Sequence, residues 1–336
     1  MPFLIKKATT FRASSIGDCL MGKYFLEQVH GAFPEAQCTL LIGSRKKMIS
    51  ELLKGYPWIH IVEANRRSPL SVLRAFIKLF ASDITLTQYS AEGNFSTASK
   101  FFARLITKSG KLIGFADRFY MNRFLYDQLI PYNEHQAIAL HEEEAAKAGG
   151  LRLSVHSREL RFIKNFEVLK RFAVERNNYV LVHLFSGHKG RGLHPESAHN
   201  LLRELARNIS FPLLLSGSEA ERPLLEQYAD GIKNIRVIAG ETDVQELINL
   251  IDGSRAMVSV DTGAAHIAAH LGKKLFVIVS CPALNWWRPP QYRADYISII
   301  SEIEKCAPHR SGNFPPCMNE INWERIAQQI AHSIKP

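Results

Sequence analysis

The sequence has no uninterrupted apolar run near the ~18 residues that a membrane span requires. Its first residues, Met-Pro-Phe-Leu-Ile-Lys-Lys, turn charged after a very short apolar stretch, where a secretory leader carries roughly 7–15 apolar residues. These two lacks predict a cytoplasmic protein. Cysteine is scarce: the five residues Cys19, Cys38, Cys281, Cys306 and Cys317 are widely spread, with no short Cys-x-x-Cys pair. That pattern excludes a disulfide framework and a zinc knuckle. The G-x-x-x-x-G-K-[ST] order of a P-loop and the G-x-G-x-x-G nicotinamide fingerprint are both missing, which argues against a P-loop NTPase and a dehydrogenase. There is no zinc-finger spacing, no RNP-type aromatic pattern and no basic block beyond Ser44-Arg45-Lys46-Lys47, so nucleic acid is not the expected partner.

What is present is an ordinary globular balance, 46% hydrophobic and 22% charged, over 336 residues, a length that suits two domains. The net charge of +10 asks for an anionic partner, either a phosphorylated small molecule or an anionic membrane surface. Arg66, Arg67, Arg74 and Lys78 lie along one amphipathic segment and fit peripheral contact with an anionic inner-membrane surface, a phosphorylated acceptor or an ordinary solvated helix face.

Apolar residues alternate between short continuous runs and helical spacing. Strands are expected at 3–11, 38–42, 60–63 and 84–88, with helices at 18–30, 46–54 and 70–80 between them. The rhythm restarts with strands at 179–185, 212–216, 256–260 and 274–279. Helices are expected there at 195–207, 219–229, 244–251 and 264–271. Alternating strands and helices in both halves predict an α/β protein with two parallel, helix-covered sheets. Composition shifts around 141–160, where three glutamates lead into Gly149-Gly150. The expected division is therefore 1–155, 156–321, and a terminal segment 322–336 whose helix (323–333) would pack back on the first domain.

Ligands of such sheets bind at the carboxyl ends of strands, and two strand-to-helix turns stand out. Arg12-Ala13-Ser14-Ser15-Ile16-Gly17-Asp18 offers small residues for close approach and a carboxylate at a helix start. The partial positive charge of that terminus favours an ionised Asp18, suited to accepting a hydroxyl proton. Spacing alone favours Asp18 as a plain helix cap. In Val260-Asp261-Thr262-Gly263-Ala264-Ala265-His266, small residues open a helix whose N–H groups can hold a diphosphate, and Asp261 can accept hydrogen bonds from sugar hydroxyls. His266 taken alone reads as a buried helix histidine. A third loop, Ser186-Gly187-His188-Lys189-Gly190-Arg191-Gly192, fits an anion cradle or a plain flexible turn.

Together these segments resemble the family 9 glycosyltransferases, the bacterial heptosyltransferases of lipopolysaccharide biosynthesis. Val258-Ser-Val-Asp261-Thr262-Gly263-Ala-Ala-His266-Ile-Ala-Ala-His-Leu-Gly272 is similar to the family's D-[TS]-G-x-x-H-L-A-A-x-x-G block, with Lys274 in place of its usual proline. Gly17-Asp18 followed by Phe33-Pro34-Glu35-Ala36 resembles the N-terminal G-D turn and F-P-x-A. Gly217-Ser-Glu-Ala-Glu221-Arg222 resembles G-G-P-x-[DE]-R, and Cys317-Met318-Asn-Glu-Ile321 the C-M-x-x-I ending. The phosphate loop departs: Gly192 falls where a lysine is expected, and Leu193-His194-Pro195 keeps only the proline of Trp-Pro.

The resemblance implies two Rossmann-like domains facing a cleft, the GT-B architecture. It implies an inverting, metal-independent transfer of a sugar, heptose from ADP-heptose, to a lipopolysaccharide core or another glycan. Asp18 would be the catalytic base, with Arg12, Ser14, Ser15 and Gly17 on the acceptor side. Ser186, Lys189, Arg191, Glu221, Asp261, Thr262, Gly263, Ala264 and His266 would hold the nucleotide-sugar, which is a substrate; no cofactor and no metal are expected. The altered phosphate loop leaves a second reading open, a catalytically degenerate member that binds nucleotide-sugar or scaffolds glycan-assembly enzymes.

Overall fold

The computed structural model describes residues 4–88, 96–107, 109–117, 119–131, 138–153, 159–187, 192–279, 296–300 and 321–335. The described chain forms two compact units that part between Phe162 and Ile163, a little beyond the compositional shift. Hydrogen bonds set the place. The Tyr56 hydroxyl donates to the Glu159 carbonyl (2.7 Å) and accepts from the Arg161 N–H (2.9 Å), tying 159–161 to the first unit. The N–H groups of Ile163 and Asn165 donate to Gln245 Oε1 (3.2 Å) and Asn249 Oδ1 (2.8 Å) of the second.

The first unit runs β1 (Lys7–Arg12), α1 (Ile16–Ala32), β2 (Gln37–Ile42), α2 (Lys46–Leu52), β3 (Ile59–Glu63), α3 (Pro69–Leu79) and β4 (Ile84–Leu86). It continues with α4 (Thr97–Ile106), β5 (Lys111–Phe115), α5 (Asn122–Leu125), β6 (Gln128–Ile130) and α6 (Ile138–Ala148). The second runs α7 (Glu167–Arg171), β7 (Val180–His183), α8 (Pro195–Asn208), β8 (Leu213–Ser216), a 3-10 turn at Glu219–Glu221, α9 (Arg222–Ala229), β9 (Ile235–Val237) and α10 (Val244–Gly253). β10 (Ala256–Val260), α11 (Gly263–His270), β11 (Leu275–Val279), β12 (Tyr296–Ile300) and α12 (Trp323–Ser333) complete it.

All strand pairs in both sheets are parallel. The strand orders are β3-β2-β1-β4-β5-β6 and β12-β11-β10-β7-β8-β9. Each is the doubly wound Rossmann order, in which the direction of winding reverses beside the first strand. The reversal falls between β1 and β4 in one sheet and between β7 and β10 in the other.

The two interiors differ. The second holds one large aliphatic cluster in which Val180, Val182, Leu201, Leu205, Leu213, Val258 and Ile278 are fully buried. α12 adds Trp323, Ile326, Ala327 and Ile330 to that cluster. Its apolar stripe is covered by α8 of the same unit. The first interior carries buried polar pairs. Thr9 Oγ1 meets Ser82 Oγ at 2.8 Å, and the Thr107 hydroxyl donates to Thr85 Oγ1 at 2.7 Å. Lys23 bonds both oxygens of Glu27 at 3.0 Å, and Lys100 bonds Asp117 and Asn122, with all four charged side chains out of solvent.

Candidate functional site

In the second unit, three neighbouring strands bring the expected donor-side residues to one sheet edge. β10 ends at Val260, and Asp261 follows it, 3% exposed. His266 Nε2 lies 3.9 Å from Asp261 Oδ1. Thr262 begins α11 in extended geometry without a side-chain bond to the helix, and the backbone ladder starts with the His266 N–H on the Thr262 carbonyl (3.2 Å). The N–H groups of Gly263, Ala264 and Ala265 therefore point out of the helix, as first-turn donors must, and can receive an anion. Ala264 and Ala265 are buried, and as alanines they carry no long side chain over that terminus.

β7, the neighbour of β10 across the reversal, leads into the loop that contains Ser186, half-buried. Lys189 and Arg191 lie outside the described residues. β8, next in the sheet, leads to Glu221, whose Oε2 accepts the Ser218 N–H at 2.7 Å. The carboxylate is thus held in place by the turn that it closes.

One residue here was missed by the sequence reading. His183 ends β7, and its Nδ1 lies 3.0 Å from Ser216 Oγ at the end of β8. Burial pushes its imidazole below the usual range, with the Glu221 charge pulling partly back. A histidine inside an apolar strand gave no periodic signal.

In the first unit, the reversal beside β1 holds the other turn. Ser15 is the N-cap of α1: its hydroxyl oxygen accepts the Asp18 N–H at 3.2 Å and its O–H donates to Asp18 Oδ2 at 2.5 Å. Asp18 therefore stands in the first helical turn, half-buried, with Ser15 doing the capping. Ser14 Oγ accepts the N–H of Ser44, which follows β2, at 2.8 Å, so the turn is braced by the adjacent strand. Gly17 lies between, in α1.

Arg12, at the end of β1, is tied to the interior of the unit. Its side chain is buried, donating to the Phe11 carbonyl and ion-paired with buried Glu142 of α6. It runs under Gly22 of α1, where a Cβ would stand 2.0 Å from Arg12 Nε. Glu142, also missed in the sequence, belongs to the glutamate run that marks the compositional shift. Cys19, next to Asp18, is fully buried, and burial pushes its thiol far above the usual range.

The described residues contain no helix long and apolar enough to cross a membrane and no cluster of His, Cys, Asp or Glu suited to a metal.

Known proteins share this architecture. A curated relative, lipooligosaccharide heptosyltransferase 2 of Haemophilus ducreyi, is 32% identical over 102 residues; the match spans 29% of this chain and 29% of that protein's length. The solved structure of the Escherichia coli ADP-heptose lipopolysaccharide heptosyltransferase II superposes with a TM-score of 0.74 over 98% of each chain, at 14% identity. An E. coli heptosyltransferase solved with ADP gives 0.70 at 15% identity, over 97% of this chain and 99% of that one. These likenesses establish the fold, that of the GT-B glycosyltransferases. The model of glycosyltransferase family 9 (heptosyltransferase) matches residues 143–311, half of the chain, and the protein belongs to that family.

Proposed function

We propose that this glycosyltransferase moves a heptose from ADP-heptose to a lipopolysaccharide core or related glycan, with inversion and without a metal ion. The observation that carries the reading is the convergence of an open helix terminus, Asp261 and Glu221 at the ends of β10, β7 and β8. An anionic, hydroxyl-rich ligand needs these groups together. The heptosyltransferases that share the fold, one of them solved with ADP, support the choice of donor.

In this reading the second unit holds the donor. The N–H groups of 263–265 face the diphosphate, Glu221 receives ribose hydroxyls and Asp261 receives sugar hydroxyls. Ser186, Thr262 and His266 line the same place, and Lys189 or Arg191 supplies positive charge. Asp18 of the first unit, held by Ser15, takes the proton of the acceptor hydroxyl. The acceptor oxygen bonds to the anomeric carbon as the bond to the ADP oxygen breaks, and the ADP leaves with that electron pair. Charge developing on the diphosphate is stabilised by the helix terminus, an electrostatic contribution that is commonly the largest in such sites. In this reading the protein works in the cytoplasm.

The test is ADP release from ADP-heptose with a heptose-deficient lipooligosaccharide as acceptor. Asp18→Asn should slow release by about 10²–10⁴-fold while the donor still raises the melting temperature, and EDTA should leave the rate unchanged. Undiminished turnover by the variant removes Asp18 from the mechanism. Absence of ADP-heptose binding in the parent chain refutes the donor assignment, whereas binding without release favours a member that no longer catalyses transfer.

A further inference from the structure

α3 is apolar on both of its sides. Ala75 and Leu79, each 1% exposed, face the core beneath α3 and α4. On the outer side Leu70, Leu73 and Ile77 are 65%, 53% and 66% exposed, and Phe80 at the C-cap is 43% exposed. At ~100° per residue the three aliphatic side chains fall within an arc of about 60°. A helix with apolar residues all round is normally covered on every side, and a contiguous exposed patch marks an interaction surface. The neighbouring helix shares the property: α4, joined to α3 by the Phe76–Phe102 ring contact, exposes Phe101 and Leu105. In the second unit, the large apolar side chains exposed among the described residues are Ile163 and Leu224.

The charge carried by this segment is of one sign. Residues 64–82 include Arg66, Arg67, Arg74 and Lys78 and no carboxylate. Arg74 and Lys78 are exposed and sit about 40–80° round the helix from the aliphatic stripe. An apolar stripe bordered by cations suits a surface that is anionic on top and apolar just below. A second copy of the same face would set cation against cation.

We propose that the outer face of α3 docks on an anionic phospholipid surface. Leu70, Leu73, Ile77 and Phe80 enter the boundary between headgroups and acyl chains, and Arg74 and Lys78 meet the headgroup phosphates. The helix lies in the plane of the interface, the geometry that such a basic amphipathic helix takes at a bilayer. This attachment stands apart from the transfer reading and is measured without turnover.

The experiment floats the full chain with vesicles of phosphatidylcholine containing about 30% phosphatidylglycerol, against phosphatidylcholine alone. Binding should require the anionic lipid and decline as salt rises. Arg74→Gln with Lys78→Gln removes two cations and should weaken partition about thirtyfold. Leu73→Ser with Ile77→Ser should weaken it by at least about tenfold. All four side chains are exposed, so both variants should keep the parent melting temperature; if the serine pair does not fold, the glutamine pair still decides. The proposal is overturned if the parent chain does not bind anionic vesicles, or if the folded variants bind as well as the parent. It is equally overturned if sedimentation finds a dimer that the serine pair dissociates, since a second copy would then cover the face.

Discussion

Replacing Gly22 by alanine should destabilise the first unit, although alanine is the better helix former. Gly22 lies in the interior of α1, where the exchange alone would stabilise by about 1 kcal/mol. The added Cβ would meet Arg12 Nε at 2.0 Å, and Cδ and Cγ at 2.6 Å. These atoms are the shaft of the side chain, and its tip is anchored on Glu142 inside the protein. The shaft cannot swing aside without withdrawing the guanidinium from its carboxylate. Breaking one side of a buried ion pair costs about 3–5 kcal/mol, so the net loss should be roughly 2–4 kcal/mol. For a unit of this size each kcal/mol lowers the melting temperature by about 2–4 °C, and calorimetry should show a drop of several degrees. In an Arg12→Ala, Glu142→Ala background the obstacle is gone, and Gly22→Ala should instead stabilise by about 1 kcal/mol. A Gly22→Ala protein that melts higher than the parent would refute the reasoning, because helix propensity would then have outweighed the ion pair.

Glu142→Ala should cost about 3–5 kcal/mol in urea unfolding, because it strands the Arg12 cation beneath α1. Tyr56→Phe removes the hydroxyl shared by the Glu159 carbonyl and the Arg161 N–H and should cost about 1–3 kcal/mol by the same assay. The lowered pKa of His183 means that below pH ~6.5 the unfolded chain takes up a proton that the folded chain refuses, so this contribution to stability falls with pH. His183→Gln should therefore lose up to about 1.4 kcal/mol per pH unit less than the parent between pH ~6.5 and the folded pKa. Burial pushes Cys38 up to about 12, and Cys19 higher still. Iodoacetamide at pH ~8 followed by peptide mapping should leave both unlabelled until the chain is unfolded.

The parallel α/β architecture was legible because the buried strands carry continuous apolar runs. 256–260 matches β10, 195–207 lies within α8, and the terminal helix coincides with α12. No strand or helix was expected over 97–148, although α4, β5, α5, β6 and α6 lie there. Their signals are weak for physical reasons: β6 has three residues, and α4 turns a lysine, Lys100, into the core. Helix 219–229 resolves into a 3-10 turn and α9 because Arg222-Pro223 begins a new helix. The turns that hold the candidate site were visible from small residues and a carboxylate at a strand end. Their internal wiring was not: Ser15 rather than Asp18 caps α1, and Arg12 is spent on Glu142. Partners distant in sequence, such as residues 12 and 142, leave no local pattern.

The unlike interiors of the two units bear on how this chain can change over generations. Within the aliphatic cluster of the second unit, a lost methyl group can be answered by small adjustments of many neighbours. The first unit locks a charge to its opposite in three separate places, Arg12 with Glu142, Lys23 with Glu27 and Lys100 with Asp117. Losing one member leaves the other stranded away from water, whereas exchanging both for apolar groups is often harmless. Drift in that half should advance two positions at a time, and relatives should differ there in matched couples.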